Sequence, residues 1–216
     1  MKNTKTLEDL LQRHEDLLPE LAAYLHRDPV IGECLKHPLA FSVPHTPQLN
    51  AYLNEFFRHK RAAIEEATAD KNWMKVLWLY EKPYRIQAFD EINDRMTDTE
   101  YWENLGHLWI DSENIWQNKS LWKKFLISER LSRENFMTME DRARLVELPA
   151  SFNVYRGYQK GKNFDGLSYT LDRNRAEWFA KRVATGNRAA VRTRTVKKSD
   201  VSAYLNGRGE QEIILL

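Results

Sequence analysis

Three short clusters in the last third of the chain carry the residue types that do chemistry. Val154-Tyr155-Arg156-Gly157-Tyr158 sets an arginine on an apolar run, Ser168-Tyr169-Thr170 sets two hydroxyls on the next, and Glu210-Gln211-Glu212 sets two carboxylates on the last. Residues two apart on a strand face the same way, about 7 Å apart. Glu210 and Glu212 therefore read as one pair, and Glu210 can accept or orient a proton beside its neighbour. Arginine's planar fork suits a diphosphate, where lysine would be a poorer match. Each cluster also has an ordinary structural reading. Arg156 could sit in a surface ion pair, Ser168 and Thr170 could be plain strand hydroxyls, and Glu210 and Glu212 could guard an edge strand against aggregation.

Other chemistries find less footing. The six histidines, at 14, 26, 37, 45, 59 and 107, show no zinc-ligand spacing, so no metal is expected. His26-Arg27-Asp28 resembles a kinase catalytic-loop fragment, but no glycine-rich loop or Asp-Phe-Gly accompanies it. Walker and Rossmann glycine fingerprints are absent from the sequence. Cys34 is the single cysteine and cannot form an internal disulfide. It reads as a buried or idle thiol in a reducing compartment.

The elements that must hold the three clusters follow from periodicity. After Pro149 the pattern becomes strand-like: Phe152 to Tyr158, then Leu167 to Leu171, reached through the Gly161–Gly166 turn region. Asp172 caps a helix carrying Ala176, Phe179, Ala180 and Val183, stopped by Thr185-Gly186-Asn187. Ala189 to Val196 is a strand, Lys197 to Leu205 a turn with a short helix, and Glu210 to Leu216 a final strand. Upstream, apolar residues recur at helical spacing. Thr6 caps a stripe of Leu7, Leu11, Leu18, Leu21 and Leu25 with His14 as a core histidine, and Pro19 ends that helix or starts a second. Prolines 29, 38, 44 and 47 mark a loop, Thr46-Pro47 opens a helix towards Ala69, and Trp73–Tyr80 and Ile86–Ile92 give further helices. Capping boxes start at Thr97 and Thr138, and Trp102, Leu105, Trp109 and Trp116 form a stripe read as core rather than a base-stacking platform. The order of helices first and strands last gives an α+β chain: a helical region over 1–96, then a domain over 97–216 with a helical lobe (97–149) and a mixed or antiparallel β-rich core (150–216).

In this order the three clusters resemble the Arg-Ser-Glu class of mono-ADP-ribosyltransferases, in a compact form that looks bacterial or phage-encoded. The resemblance rests on Arg156-Gly157, Ser168-Tyr169-Thr170 and Glu210-Gln211-Glu212, and covers about residues 150–216. It implies that NAD⁺ is a substrate and that the bond between nicotinamide and ribose breaks through an oxocarbenium-like state. Glu212 would stabilise that charge and hold the 2′-hydroxyl, and Glu210 would meet the acceptor, which for a glutamate in this position is arginine. Arg156 would hold the diphosphate or the adenosine side. Gly157 would let the backbone approach the nicotinamide amide. Ser168 would orient Glu212 or the ribose. Thr170 stands where the family's strand motif ends in serine. Phe179 and Arg182 have the Phe-x-x-Arg spacing that some members use for nicotinamide and phosphate, although Phe179, inside a helix, reads better as core.

Charge is uneven along the chain. Residues 151–216 carry 13 Lys and Arg against 6 Asp and Glu, whereas residues 1–150 carry 20 against 25. A basic part that meets an anion follows an acidic helical part. The alternative function is accordingly a basic module that grips nucleic acid or a protein without chemistry, with Arg192, Arg194, Lys197 and Lys198 as its face. A milder variant is an NAD⁺ glycohydrolase. No run approaches the roughly 18 apolar residues of a membrane span, and Met1–Thr6 opens no apolar leader. A cytoplasmic protein acting on a protein target, such as one of a host, is expected, with target choice encoded in the helical part.

Overall fold

The computed structural model describes residues 7–113, 115–183 and 188–216. The cap at Thr6 and the helix stop at Thr185-Gly186-Asn187 lie outside the described residues. The chain is α+β and divides into two compact units, Met1–Ala88 and Phe89–Leu216. The division falls inside a helix, earlier than the expected boundary at 97.

The first unit is not the all-helical region expected. Helices α1 (Leu7–Leu11) and α2 (Pro19–Ala22) precede an antiparallel meander of β1 (Leu25–Asp28), β2 (Gly32–His37) and β3 (Ala40–Ser42). The prolines at 29 and 38 do mark turns, but the turns join strands too short to show an alternation. In the first of them Asp28 Oδ1 accepts the amides of Val30 and Ile31 at 2.8 and 3.1 Å, and Gly32 follows at φ +84°. His26-Arg27-Asp28 is thereby the end of a strand. Pro19 starts α2 at its first turn. His14 is exposed and follows α1 in irregular chain, so it is no core histidine. The meander packs with α3 (Asn50–Ala69) around Leu21, Leu35, Leu39, Ala40, Leu53 and Phe57, and Cys34 is buried. Thr46 makes no side-chain capping bond, and a 3₁₀ turn over Pro47–Leu49 leads into α3 instead. Helix α4 spans Trp73–Leu79, and α5 (Arg85–Ile92) crosses the division.

The second unit begins its long helix α6 (Asp98–Asp111) with the expected capping box. Glu100 N–H donates to Thr97 Oγ1 at 3.3 Å and Thr97 N–H to Glu100 Oε2 at 2.8 Å. Replacing Thr97 by alanine should lower stability by about 1 kcal/mol, read as a fall in melting temperature of about 2–4 °C. Trp102, Leu105 and Trp109 are fully buried on this helix, and Trp109 meets Trp122 of α7 (Lys119–Leu126) edge to face at 5.0 Å. The stripe stops there: Ser112 ends α6, its hydroxyl donating back to the Leu108 carbonyl at 2.7 Å, and Trp116 lies in the turn beyond. Helix α8 (Met139–Glu147) starts with the second capping box, at Thr138.

Five strands follow: β4 (Ser151–Gln159), β5 (Ser168–Thr170), β6 (Ala189–Lys197), β7 (Ala203–Leu205) and β8 (Glu212–Ile214), with α9 (Arg173–Val183) after β5. Their order is β6-β4-β5-β8-β7 and every neighbouring pair is antiparallel. Strand β7 lies where the sequence suggested turn and short helix; only Lys198–Asp200 is a 3₁₀ turn. One rung, Tyr169–Ile213–Tyr204, joins Val154 and Val196 in the core. The adjacent rung runs Thr193–Tyr155–Thr170–Glu212–Leu205 across all five strands. Among the described residues no helix is long and apolar enough to cross a membrane.

Candidate functional site

The rung that holds Glu212 opens onto a cleft of ≈ 400 Å³ in the second unit. All eight residues singled out in the sequence line it: Arg156, Gly157, Ser168, Thr170, Phe179, Arg182, Glu210 and Glu212. Short antiparallel strands accomplish this, because β4, β5 and β8 are hydrogen-bonded neighbours although 40 residues separate Thr170 from Glu210 along the chain.

Glu212 is 5 % exposed and its Oε1 has no hydrogen-bond partner. Burial raises its carboxyl above the usual range. The Ser168 hydroxyl, the Arg208 guanidinium and the Trp109 indole oppose that rise, while Glu210 adds to it. The Trp109 indole N–H is buried beside this carboxylate without completing a hydrogen bond to it. The site thus holds a carboxylate with unused accepting capacity in a low-dielectric setting, where an added positive charge or donor would be strongly favoured.

Glu210 is not the second residue of a strand pair, as the two-residue period had suggested. Strand β8 begins at Glu212, and Gln211 adopts φ +45°, a conformation rare for residues other than glycine. The turn that results is pinned from β5: the Thr170 hydroxyl donates to the Glu210 carbonyl at 2.6 Å and Leu171 N–H to the Gln211 carbonyl at 3.1 Å. Thr170 therefore shapes the turn, its oxygen already accepting the Asp172 amide at 3.0 Å. The Glu210 carboxylate is held between Arg175 at 3.3 Å and Arg208 at 3.2 Å, and Arg208 also reaches Glu212 at 3.9 Å.

Arg156 is partly buried, and that burial pushes its pKa down while Tyr169 and Glu212 push it up. Its fork is partly committed to the fold. Nη1 donates to the Ser168 carbonyl at 2.7 Å and Nε to the Asn163 carbonyl at 3.2 Å, with the guanidinium lying against Gly166 where a Cβ would collide with it. Arg156 thus anchors the 160–167 connection to β5 as well as lining the cleft. Lysine offers one compact donor group and cannot serve both carbonyls in this geometry. Arg156→Lys should therefore destabilise by about 1–3 kcal/mol, with faster amide hydrogen exchange in 160–167 as the local readout.

Gly157 needs its missing Cβ for a different reason from the one the resemblance implies. A Cβ there would run into the Ala176 carbonyl and the Ala180 amide of α9. Phe179 is not core: it is half-buried, lines the cleft and meets Trp178 edge to face at 5.0 Å. Arg175 lies over both rings and Arg182 over Trp178. Trp116, brought in by the turn after α6, adds another aromatic wall.

Sequence reading missed Arg208, Trp109 as a neighbour of Glu212, and Trp116 as a wall. Arg208 had a usable signal, a cation two residues before Glu210 between Gly207 and Gly209. The basic face is largely engaged: Arg192 stacks on Phe164, Arg194 lies over Tyr169, and Lys198 donates to the Val146 and Leu148 carbonyls at 2.8 and 2.9 Å. Among the described residues no group of three or more His, Cys, Asp or Glu is placed to hold a metal ion. Comparison with known proteins finds no matching family model, no matching curated protein and no matching solved structure.

Proposed function

We propose that the chain is an NAD⁺-dependent mono-ADP-ribosyltransferase that modifies an arginine side chain of a protein. The observation that carries this reading is the buried Glu212 carboxylate, one oxygen of which completes no hydrogen bond, in a cleft shared with Arg156, Ser168 and Glu210. A buried carboxylate short of hydrogen-bond donors is costly in the resting protein. It becomes favourable where positive charge develops beside it, as on the ribose ring when nicotinamide departs. Aromatic walls at Trp116 and Phe179 suit a flat ring, and Arg182 suits a phosphate.

In this reaction the C1′–N bond of the nicotinamide riboside breaks and nicotinamide leaves as a neutral molecule with the bonding pair. Glu212 stabilises the ribosyl cation, with Ser168 orienting its carboxylate. An acceptor guanidine nitrogen then bonds to C1′ and passes a proton to Glu210. Water as acceptor would give the glycohydrolase variant in the same cleft. The binding-module reading has less support, because Arg192, Arg194 and Lys198 are already engaged within the fold. A cytoplasmic effector with a host protein as its target is the setting that fits the compact form and the single cysteine.

The test is incubation of the purified full chain with NAD⁺ labelled in its adenylate part, together with agmatine or cell lysate. Nicotinamide release with labelled agmatine or labelled protein is expected. Nicotinamide release without any labelled acceptor would leave the glycohydrolase variant, and neither product would overturn the reading.

A further inference from the structure

We propose that Arg208 is an acceptor for the chain's own reaction, so that the protein ADP-ribosylates itself in the turn preceding Glu210. This inference rests on the transferase reading above. An acceptor arginine must bring a guanidinium nitrogen between the carboxylate that takes its proton and the one that holds the ribose. Arg208 already does so: its Nη2 lies 3.2 Å from Glu210 Oε2 and 3.9 Å from Glu212 Oε2. Its Nη1 is turned to the Ser112 carbonyl at 3.4 Å, which leaves Nη2 as the nitrogen nearest both carboxylates. The side chain is about one-third exposed and lines the cleft, so it is open to a bound dinucleotide.

Arg175 is the rival, and the geometry disfavours it. It bonds Glu210 alone, at 3.3 Å, its Nε is buried without a partner, and its guanidinium is stacked over Trp178 and Phe179 on α9. Arg208 instead stands in a turn between Gly207 and Gly209, the latter at φ +66°, and no helix holds its backbone. In the self-reaction the C1′–N bond to nicotinamide breaks and nicotinamide departs neutral with its electron pair. Arg208 Nη2 bonds to C1′, and the displaced proton passes to Glu210. The product is a substituted guanidinium whose attached ADP-ribose lies beside the cleft that made it, so modification limits further turnover.

The experiment uses the full wild-type chain with NAD⁺ and no other acceptor, measuring nicotinamide release by chromatography and the modified residue by tandem mass spectrometry. ADP-ribose localised to Arg208, at a fractional rate unchanged by dilution of the protein, is the expected result. Glu212→Gln, verified as folded by circular dichroism, should lose the mark. Nicotinamide release with Arg208 unmodified, or labelling of agmatine in a parallel reaction that contains it while Arg208 stays unmodified, overturns the inference and leaves the transferase reading standing. A mark on Arg175 or elsewhere, or a rate that falls in proportion to protein concentration, also overturns it. Absence of any nicotinamide release overturns both.

Discussion

Glu212→Gln should lower the rate of nicotinamide release by about 10²–10³-fold while making the protein more stable. The two effects have one cause. Burial raises the Glu212 carboxyl above its ordinary range, so its ionised form is less favourable in the folded chain than in the unfolded one. Between the ordinary carboxylate value and that raised value the folded state binds more protons than the unfolded state. Stability therefore falls as pH rises through this window. Below it both states are protonated and the penalty is absent. Glutamine carries no charge to desolvate, so the variant should unfold at a higher temperature than wild type at neutral pH. A gain on the order of 1 kcal/mol is expected, or about 2–4 °C for a chain of this size. The gap should close as pH is lowered below the carboxylate range. Activity runs the other way: it needs the ionised carboxylate, so the acid limb of the rate profile should lie above the ordinary carboxylate range. Equal melting temperatures at all pH values would remove the argument that Glu212 is held at a cost for its chemistry.

The sequence revealed most where local rules decide the outcome. The capping boxes at Thr97 and Thr138 satisfy their own helix ends from within four residues, and both occur where expected. The β-rich segment after Pro149 announces itself by alternation, and its hydroxyls and carboxylates meet in one cleft because β8, the last strand, returns to pair with β5, which itself pairs with β4. What stayed hidden was decided over longer distances. The first meander has strands of three to six residues, too few for a period to emerge, so its turn residues were legible and its strands were not. The two-residue period placed Glu210 on a strand, but the left-handed Gln211 and the bond from Thr170 to the Glu210 carbonyl make it part of a turn. Phe179 looked like core because a helical stripe has two flanks, and only the packed structure tells which flank borders a cleft. The carbonyl partners of Arg156 could not be read at all, since main-chain oxygens carry no sequence signature.

Gly157→Ala should be the most destabilising of the single-methyl additions to the sheet, at about 2–4 kcal/mol. Gly157 lies inside β4, paired with Val191 of β6, where a glycine by itself weakens a strand. Alanine would favour the extended backbone and, on propensity alone, would stabilise it. Packing reverses the sign. The added Cβ would overlap the Ala176 carbonyl and the Ala180 amide, which are main-chain atoms of α9 and cannot rotate out of the way. Ala176 and Ala180 are themselves fully buried, so the small residues on both sides define a close strand–helix approach. The strain can be relieved only by moving α9 away from β4. That helix carries Arg175, Phe179 and Arg182, and so the movement would also loosen the grip on Glu210 and open one wall of the cleft. The expected signature is a loss of about 4–16 °C in melting temperature together with faster hydrogen exchange along 173–183. An alanine variant as stable as wild type would mean that α9 is not pressed against the strand, and the glycine would then have to be explained from the cleft side.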